Sequence, residues 1–390
     1  MQYGAGERGK RSRAHGELVC GPELLSDAEL AKNRSNFGVE IVAHPLDDDY
    51  HRARSPVWLK VKVPFLSAAN WGGQPLHPRG NFEGFVRAAS KQKWLEVHGI
   101  EHWTHFYTDY GIKLQLRFFD YFLHGKKNGF DKAPPVQLQV RHVDRFVERA
   151  EKEWPLKRTR WTKLYLDASG GALSPISASP VSGGGKGGGK KKTVLRFEAM
   201  GEGLTFVTPS LAHETEITGP SAVKLFVSSS TSDADIFAVL RVFTPDLKEI
   251  VFQGAIDPHT PVGQGWLRAS HRALDKKLSK PYRPYHAHSR KQPLKPGEVV
   301  ALDVEIWPTS IVVPAGHRIA LTVRGKDYVY SGPSGGRLSN FKNELTGCGP
   351  FLHDDVRDRP PQIFDGITGL HFGGTARPYL LLPIIPAKKR

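Results

Sequence analysis

Two cysteines, Cys20 and Cys348, are all that the 390 residues contain. A pair so widely separated makes neither a disulfide framework nor a cysteine metal cluster, and it suits a reducing, cytoplasmic setting. No run of about 18 apolar residues occurs, so no segment reads as a membrane-spanning helix. The opening MQYGAGERGKRSR is charged and lacks the apolar core that a secretory signal needs. Acidic residues are outnumbered: 39 Asp and Glu stand against 55 Lys and Arg, a formal net charge of +16. The basic clusters are Arg8–Arg13, Lys186–Lys192 and Lys388–Arg390. They fall in segments without periodicity, and no groove-fitting motif or stacking platform accompanies them. The charge therefore reads as solvated surface and not as a nucleic-acid interface.

Glycine and proline are plentiful, at 40 and 29 residues, which favours loops and short strands over long helices. Residues 1–24 read as a disordered basic N-terminus. Ser26 and Glu29 then form a capping-box signal at a helix start. The acidic run Asp47-Asp48-Asp49 reads as a loop and helix start with solvated carboxylates, because three consecutive residues do not point to one side in any regular structure. From Val63 the pattern is strand, loop, helix, strand, loop. A short apolar run (Val63–Leu66) stops at Asn70-Trp71-Gly72-Gly73. A helix over Asn81–Ser90 follows, with Phe82, Phe85, Val86 and Ala89 on one face. A second strand (Trp94–Val97) then runs into His98-Gly99-Ile100-Glu101-His102-Trp103. Loops just past the carboxyl ends of such strands are where sites are built, and an imidazole there suits a general base. Residues 111–123 predict a helix whose apolar stripe at 112, 116, 119 and 123 is expected to pack into the core.

Past Pro134-Pro135 the character changes to short alternating segments: 136–141, 163–166, 195–199, 222–227, 236–243, 299–305, 318–323 and 379–383. They predict an antiparallel β-sandwich. The Gly- and Lys-rich stretch 183–192 reads as a flexible loop within it.

The order of motifs resembles the X-Pro dipeptidyl-peptidase and cocaine-esterase-like serine hydrolases. The residues that carry the likeness are Val63–Trp71, Leu76–Asn81, Trp94–Trp103 and Gln115–Gly129. Further landmarks are Asp233–Ile236, Trp266–Arg272, Val313–Ile319 and His353-Asp354 with Arg359-Pro360. The likeness covers nearly the whole chain from about Leu25. It implies α/β plus all-β architecture: residues 25–135 as the C-terminal part of an α/β-hydrolase domain, and residues 136–390 as a jelly-roll β-sandwich. It also implies hydrolysis of a small ester or peptide through an acyl-enzyme, with no metal and no organic cofactor.

Such chemistry needs a nucleophile, a base, an acid that orients the base, and donors for the oxyanion. The resemblance places the base at His102, with His105 and His98 as rivals. It places an acid shortly after Trp71, where this sequence has Gly72-Gly73-Gln74 and no carboxylate. Asp109 and Glu83 are substitutes, while Glu101 adjoins His102 awkwardly. The one elbow-like pattern, Gly332-Pro333-Ser334-Gly335-Gly336, lacks the strand–turn–helix context of a nucleophile, so Ser334 is read as a decoy. The nucleophile-bearing half is expected to lie outside these residues, in a missing N-terminal half or a partner chain; a second copy of this chain is the other partner left open. The alternative is a non-catalytic jelly-roll binding protein.

Overall fold

The computed structural model describes residues 11, 16, 26–32, 37–74, 76–100, 105–168, 173–177, 192–254, 259–331 and 352–387. The helix-start signals hold locally. Ser26 N–H donates to the Glu29 carboxylate at 2.9 Å, and Glu29 N–H donates back to the Ser26 hydroxyl at 3.3 Å, at the start of α1 (Asp27–Lys32). Helix α2 spans Phe37–Ala43. Asp48 caps α3 (Asp49–Arg54), accepting from the N–H groups of Tyr50 and His51, so one carboxylate of the acidic run has a capping role.

Four strands make the smaller sheet. β1 (Phe65–Asn70) and β2 (Lys93–His98) run parallel, in a register that sets Asn70 beside His98. β3 (Val136–Arg141) lies parallel to β2, and β4 (Phe146–Glu151) returns antiparallel to β3. β1 is thus an edge strand with no partner on its outer side among the described residues. Segment 136–141, expected to open the sandwich, belongs to this sheet instead. Its alternating Val136, Leu138 and Val140 are buried, and its backbone completes the bonding of β2. A proline pair ended the preceding segment without ending the sheet.

Helix α4 runs over Pro78–Arg87, three residues earlier at both ends than expected, because Pro78 fits the first helical turn. It lies over β1, where the Asn81 amide donates to the Ser67 hydroxyl and the Ala68 carbonyl. Phe82 and Phe85 are buried, whereas Val86 and Ala89 face solvent. Phe82 stacks on both Trp71 and Trp154, which also touch each other.

Helix α5 (Asp109–Phe122) overturns the expectation for its apolar stripe. Ile112, Leu116, Phe119 and Leu123 are the exposed ones, at 44–73%. The buried side is carried by Phe118 with Leu114, Tyr121 and Phe122, packed on Trp94 and Phe130. The helix is apolar on two sides, so periodicity alone did not identify the side that meets the sheet.

The remaining strands pair in a twelve-stranded ladder. These are β5 (Arg160–Leu166), β6 (Leu173–Ser177), β7 (Thr193–Glu198), β8 (Leu204–Val207), β9 (Thr215–Ser229) and β10 (Asp235–Phe243). After them come β11 (Glu249–Ile250), β12 (Gly263–Arg268), β13 (Val300–Val313), β14 (Arg318–Arg324), β15 (Ile367–Phe372) and β16 (Tyr379–Ile385). The order is β11-β10-β14-β8-β6-β5-β16-β9-β15-β7, with β12 on β10 and β13 on β9. Every pairing is antiparallel except β6 with β8. Both branches of the ladder contribute to one core: Leu225 and Val227 of β9, Leu240 of β10, Ile306 of β13 and Leu321 of β14 are all fully buried in it. The architecture is mostly β with few helices.

Ion pairs tie the two bodies together. Arg79 at the start of α4 reaches Glu305 of β13 at 2.9 Å, Glu83 takes Arg283 at 2.5 Å, and Arg149 of β4 takes Glu216 of β9 at 2.7 Å. Arg141, at the end of β3, is 1% exposed and donates to the carbonyls of Ser310 and Val262.

Candidate active site at the end of the parallel strands

In an extended strand, residues two apart share a face. Glu96 and His98 of β2 do so, and they touch: His98 Nδ1 lies 2.9 Å from a Glu96 oxygen, with both side chains 4% exposed. From the start of the next segment, His105 stacks on His98 with ring centres 4.5 Å apart and planes 18° apart. Tyr110, in the first turn of α5, reaches the other Glu96 oxygen at 3.5 Å and packs on His105. These groups line one end of a cavity of about 500 Å³ between β1 and α5, whose walls include Leu66, Ala68, Phe106, Leu114 and Phe118. The Nε2 atoms of His98 and His105 are buried and have no hydrogen-bond partner among the described residues.

Burial sets the electrostatics. It holds the Glu96 carboxyl above the ordinary carboxylate range, while hydrogen bonds from His98 and Tyr110 pull the other way. It pushes the His105 imidazole down to about 4, with the neighbouring His98 adding to the effect. Tyr110 is raised by burial and by the negative charge of Glu96 and Glu148.

Glu96, His98 and His105 bring two imidazoles and a carboxylate within 4.8 Å of one another, a donor set of the zinc type. The rings are nearly parallel, however, so their in-plane lone pairs run side by side and do not converge on one point. His98 Nδ1 is already engaged with the carboxylate. The arrangement suits an imidazole held by an acid better than it suits a tetrahedral ion.

Of the residues singled out in the sequence, His98 and His105 meet at this site, while His102, Glu101 and Ser334 lie outside the described residues. Glu83 is not near the histidines; it is paired with Arg283 and Arg87. Asp109 is exposed at the start of α5. Glu96 escaped the sequence reading because one polar residue within Trp94–Val97 looks like ordinary strand alternation; its spacing of two from His98 was the signal.

The position after Trp71 has a physical reason to lack an acid. A Cβ on Gly72 would sit 2.6 Å from the Gln253 carbonyl oxygen, and one on Gly73 would sit 2.7 Å from the Asn70 side-chain oxygen. The loop after β11 fills the space that a longer side chain would take. Next to it, Asn70 Oδ1 and both amide atoms of Gln74 are buried without a hydrogen-bond partner among the described residues.

The comparisons with known proteins agree on a class. A crystallographic CocE/NonD family hydrolase from Staphylococcus aureus superposes with a TM-score of 0.76 at 27% identity, over 90% of this chain and 60% of that one. A putative serine esterase of Mycobacterium bovis is 28% identical over 262 residues, 61% of this chain and 38% of the relative. The cocaine esterase of a Rhodococcus species is 24% identical over 295 residues, 69% of this chain and 45% of the relative. The chain therefore spans less than half the length of these two curated relatives. Residues 128–362 match the X-Pro dipeptidyl-peptidase C-terminal non-catalytic domain. The chain belongs to this family, that of the X-Pro dipeptidyl-peptidases and cocaine-esterase-like serine hydrolases. The cluster at Glu96, His98 and His105 precedes the matched residues. Among the described residues, no helix is long and apolar enough to cross a membrane.

Proposed function

We propose that the four-stranded sheet is the C-terminal part of an α/β-hydrolase sheet and that the twelve-stranded ladder is the family's jelly-roll domain. In this reading the chain supplies the base of a serine hydrolase that cleaves esters or amides through an acyl-enzyme. The nucleophilic serine comes from polypeptide beyond these residues, seated against β1. The observation that carries the reading is His98: a buried imidazole at the carboxyl end of a parallel strand, held by a carboxylate through Nδ1 and with no partner at Nε2 among the described residues, beside a cavity. In this reading His98 stands as a candidate base beside His102, which lies outside the described residues. The edge of β1 and the apolar stripe of α5, both uncovered among the described residues, support a further neighbour, since both are costly to leave in water.

The test is a fluorophosphonate probe, which forms an adduct only on an activated serine. It is applied to the purified chain and to a fusion carrying the N-terminal part of the Staphylococcus aureus hydrolase ahead of it. The expected result is no adduct on the chain alone and a serine adduct on the fusion that disappears in His98→Ala. An adduct on the chain alone, or one that survives His98→Ala and is lost in His102→Ala, overturns the reading. No adduct on a folded fusion favours a non-catalytic binding role, consistent with the non-catalytic domain that residues 128–362 match.

A further inference from the structure

A second cavity sits in the seam between the two bodies, on the other face of the smaller sheet. Leu95 and Val97 of β2 pack toward α4, whereas Trp94, Glu96 and His98 face α5, so the sheet stands between the two cavities. The seam cavity has a volume of about 100 Å³ and is lined by residues of α4, β9 and β13 and of segments 154–155 and 280–283. A buried water needs about 10–15 Å³ of such space, so the cavity takes a group the size of one small ring. We propose that it binds the ring of a neutral sugar.

The lining supplies two kinds of surface. Its apolar part is flat and aromatic: Phe82 and Trp154 are buried and stack with ring centres 4.6 Å apart, and Tyr282 stands half-buried beside them. Tyr282 in turn stacks on Trp161, with centres 4.1 Å and planes 7° apart. Trp161 is 37% exposed, so the aromatic surface continues out of the cavity. Such faces suit the C–H face of a sugar, whose hydroxyls project around its edge.

The polar part is two ion pairs, Arg79 with Glu305 at 2.9 Å and Arg283 with Glu83 at 2.5 Å. Each carboxylate is matched by a guanidinium, and the lining's further cation, Lys280, is exposed. The interior therefore has no spare charge with which to hold a free ion. Hydrogen-bonding capacity is left over all the same. Glu83 is 7% exposed; its Oε2, which has Arg87 at 3.6 Å, and the Nε of Arg283 are buried without a hydrogen-bond partner among the described residues. The first is an acceptor and the second a donor, and each is costly to leave unmet. An ammonium only donates and a carboxylate only accepts, whereas hydroxyls do both. The pair thus selects a neutral ligand with several hydroxyls, and the aromatic walls select one with a flat apolar face.

The experiment is saturation-transfer-difference NMR on the full chain with D-glucose, D-galactose and D-mannose, with acetate and methylammonium as charged controls. It needs no hydrolysis and no second polypeptide. The expected result is transfer to the ring protons of at least one hexose, stronger than transfer to either control. Val86→Trp, at an exposed position of the lining, fills the mouth without touching either ion pair and is expected to abolish the transfer; Lys280→Trp is a second block from the larger body. Tyr282→Ala should weaken binding roughly fivefold through loss of one aromatic face. No transfer to any of the three hexoses overturns the proposal. So does transfer that is indifferent to both blocks or to Tyr282→Ala. A stronger response from acetate or methylammonium that the blocks remove makes the cavity an ion site and overturns it as well.

Discussion

The larger ladder encloses one extensive core, and the smaller sheet does not. In the ladder, strands from both branches bury their apolar side chains in a shared core, and its exposed apolar residues, such as Leu247 and Val299, stand singly. Among the described residues, the smaller sheet has two modest clusters, edge strands at β1 and β4, and a helix that leaves Ile112, Leu116, Phe119 and Leu123 exposed in a row. Buried polar atoms are ordinarily satisfied, and among the described residues the exceptions occur in both bodies, as at Asn70, Gln74, His98 and His105 on one side and at Gln264, Ser270 and Thr368 on the other; of these, only the two on His98 and His105, in the smaller sheet, lie together beside a cavity. The difference separates a finished scaffold from an open site.

The contrast can be broken first in the ladder. Leu240 is fully buried at the centre of β10, and Leu240→Ala should cost about 2–5 kcal/mol, read as a fall in the urea midpoint. A much smaller loss would mean that the ladder core is not the finished body described. Acid sharpens the comparison on the other side. His105 is held near 4 in the folded chain against an ordinary 6.5, so the unfolded chain takes the proton first. Its contribution is whole above pH 6.5, is lost as pH falls from 6.5 to 4, and changes no further below that. His105→Gln should flatten the pH dependence of the urea midpoint over that window; an unchanged slope would show that the imidazole is not shielded. The smallest effect is expected at the outward stripe. Leu116→Ser with Phe119→Ser should move stability by no more than about 0.5 kcal/mol per site while reducing self-association in sedimentation. A large loss would mean that the stripe is packed after all.

Most of the ladder was legible because each strand carries its own alternation. The segments read as strands each fall within or overlap a strand. Short strands such as β8 and β12 were missed, since four to six residues give little period to read. The boundary at Pro135 misled because a proline pair punctuates the chain without saying which sheet the next strand joins. For α5, 3.6-residue periodicity identified the helix, but not which of its two apolar faces meets the sheet. The site was half legible: the histidines past β2 stood out, yet Glu96 gains meaning only once strand geometry places it on the face of His98. The absent acid was visible as Gly72-Gly73, but its cause lies about 180 residues away in sequence, in the backbone of Gln253.

The central claim, that this chain carries the base of a site completed from elsewhere, is tested most directly in the native source. A lysate treated with a fluorophosphonate probe is captured with an antibody against this chain, and the labelled peptide is sequenced. The account predicts a captured species labelled on a serine outside the 390 residues. A label on a serine within them, or a captured chain that never takes the label, would contradict it.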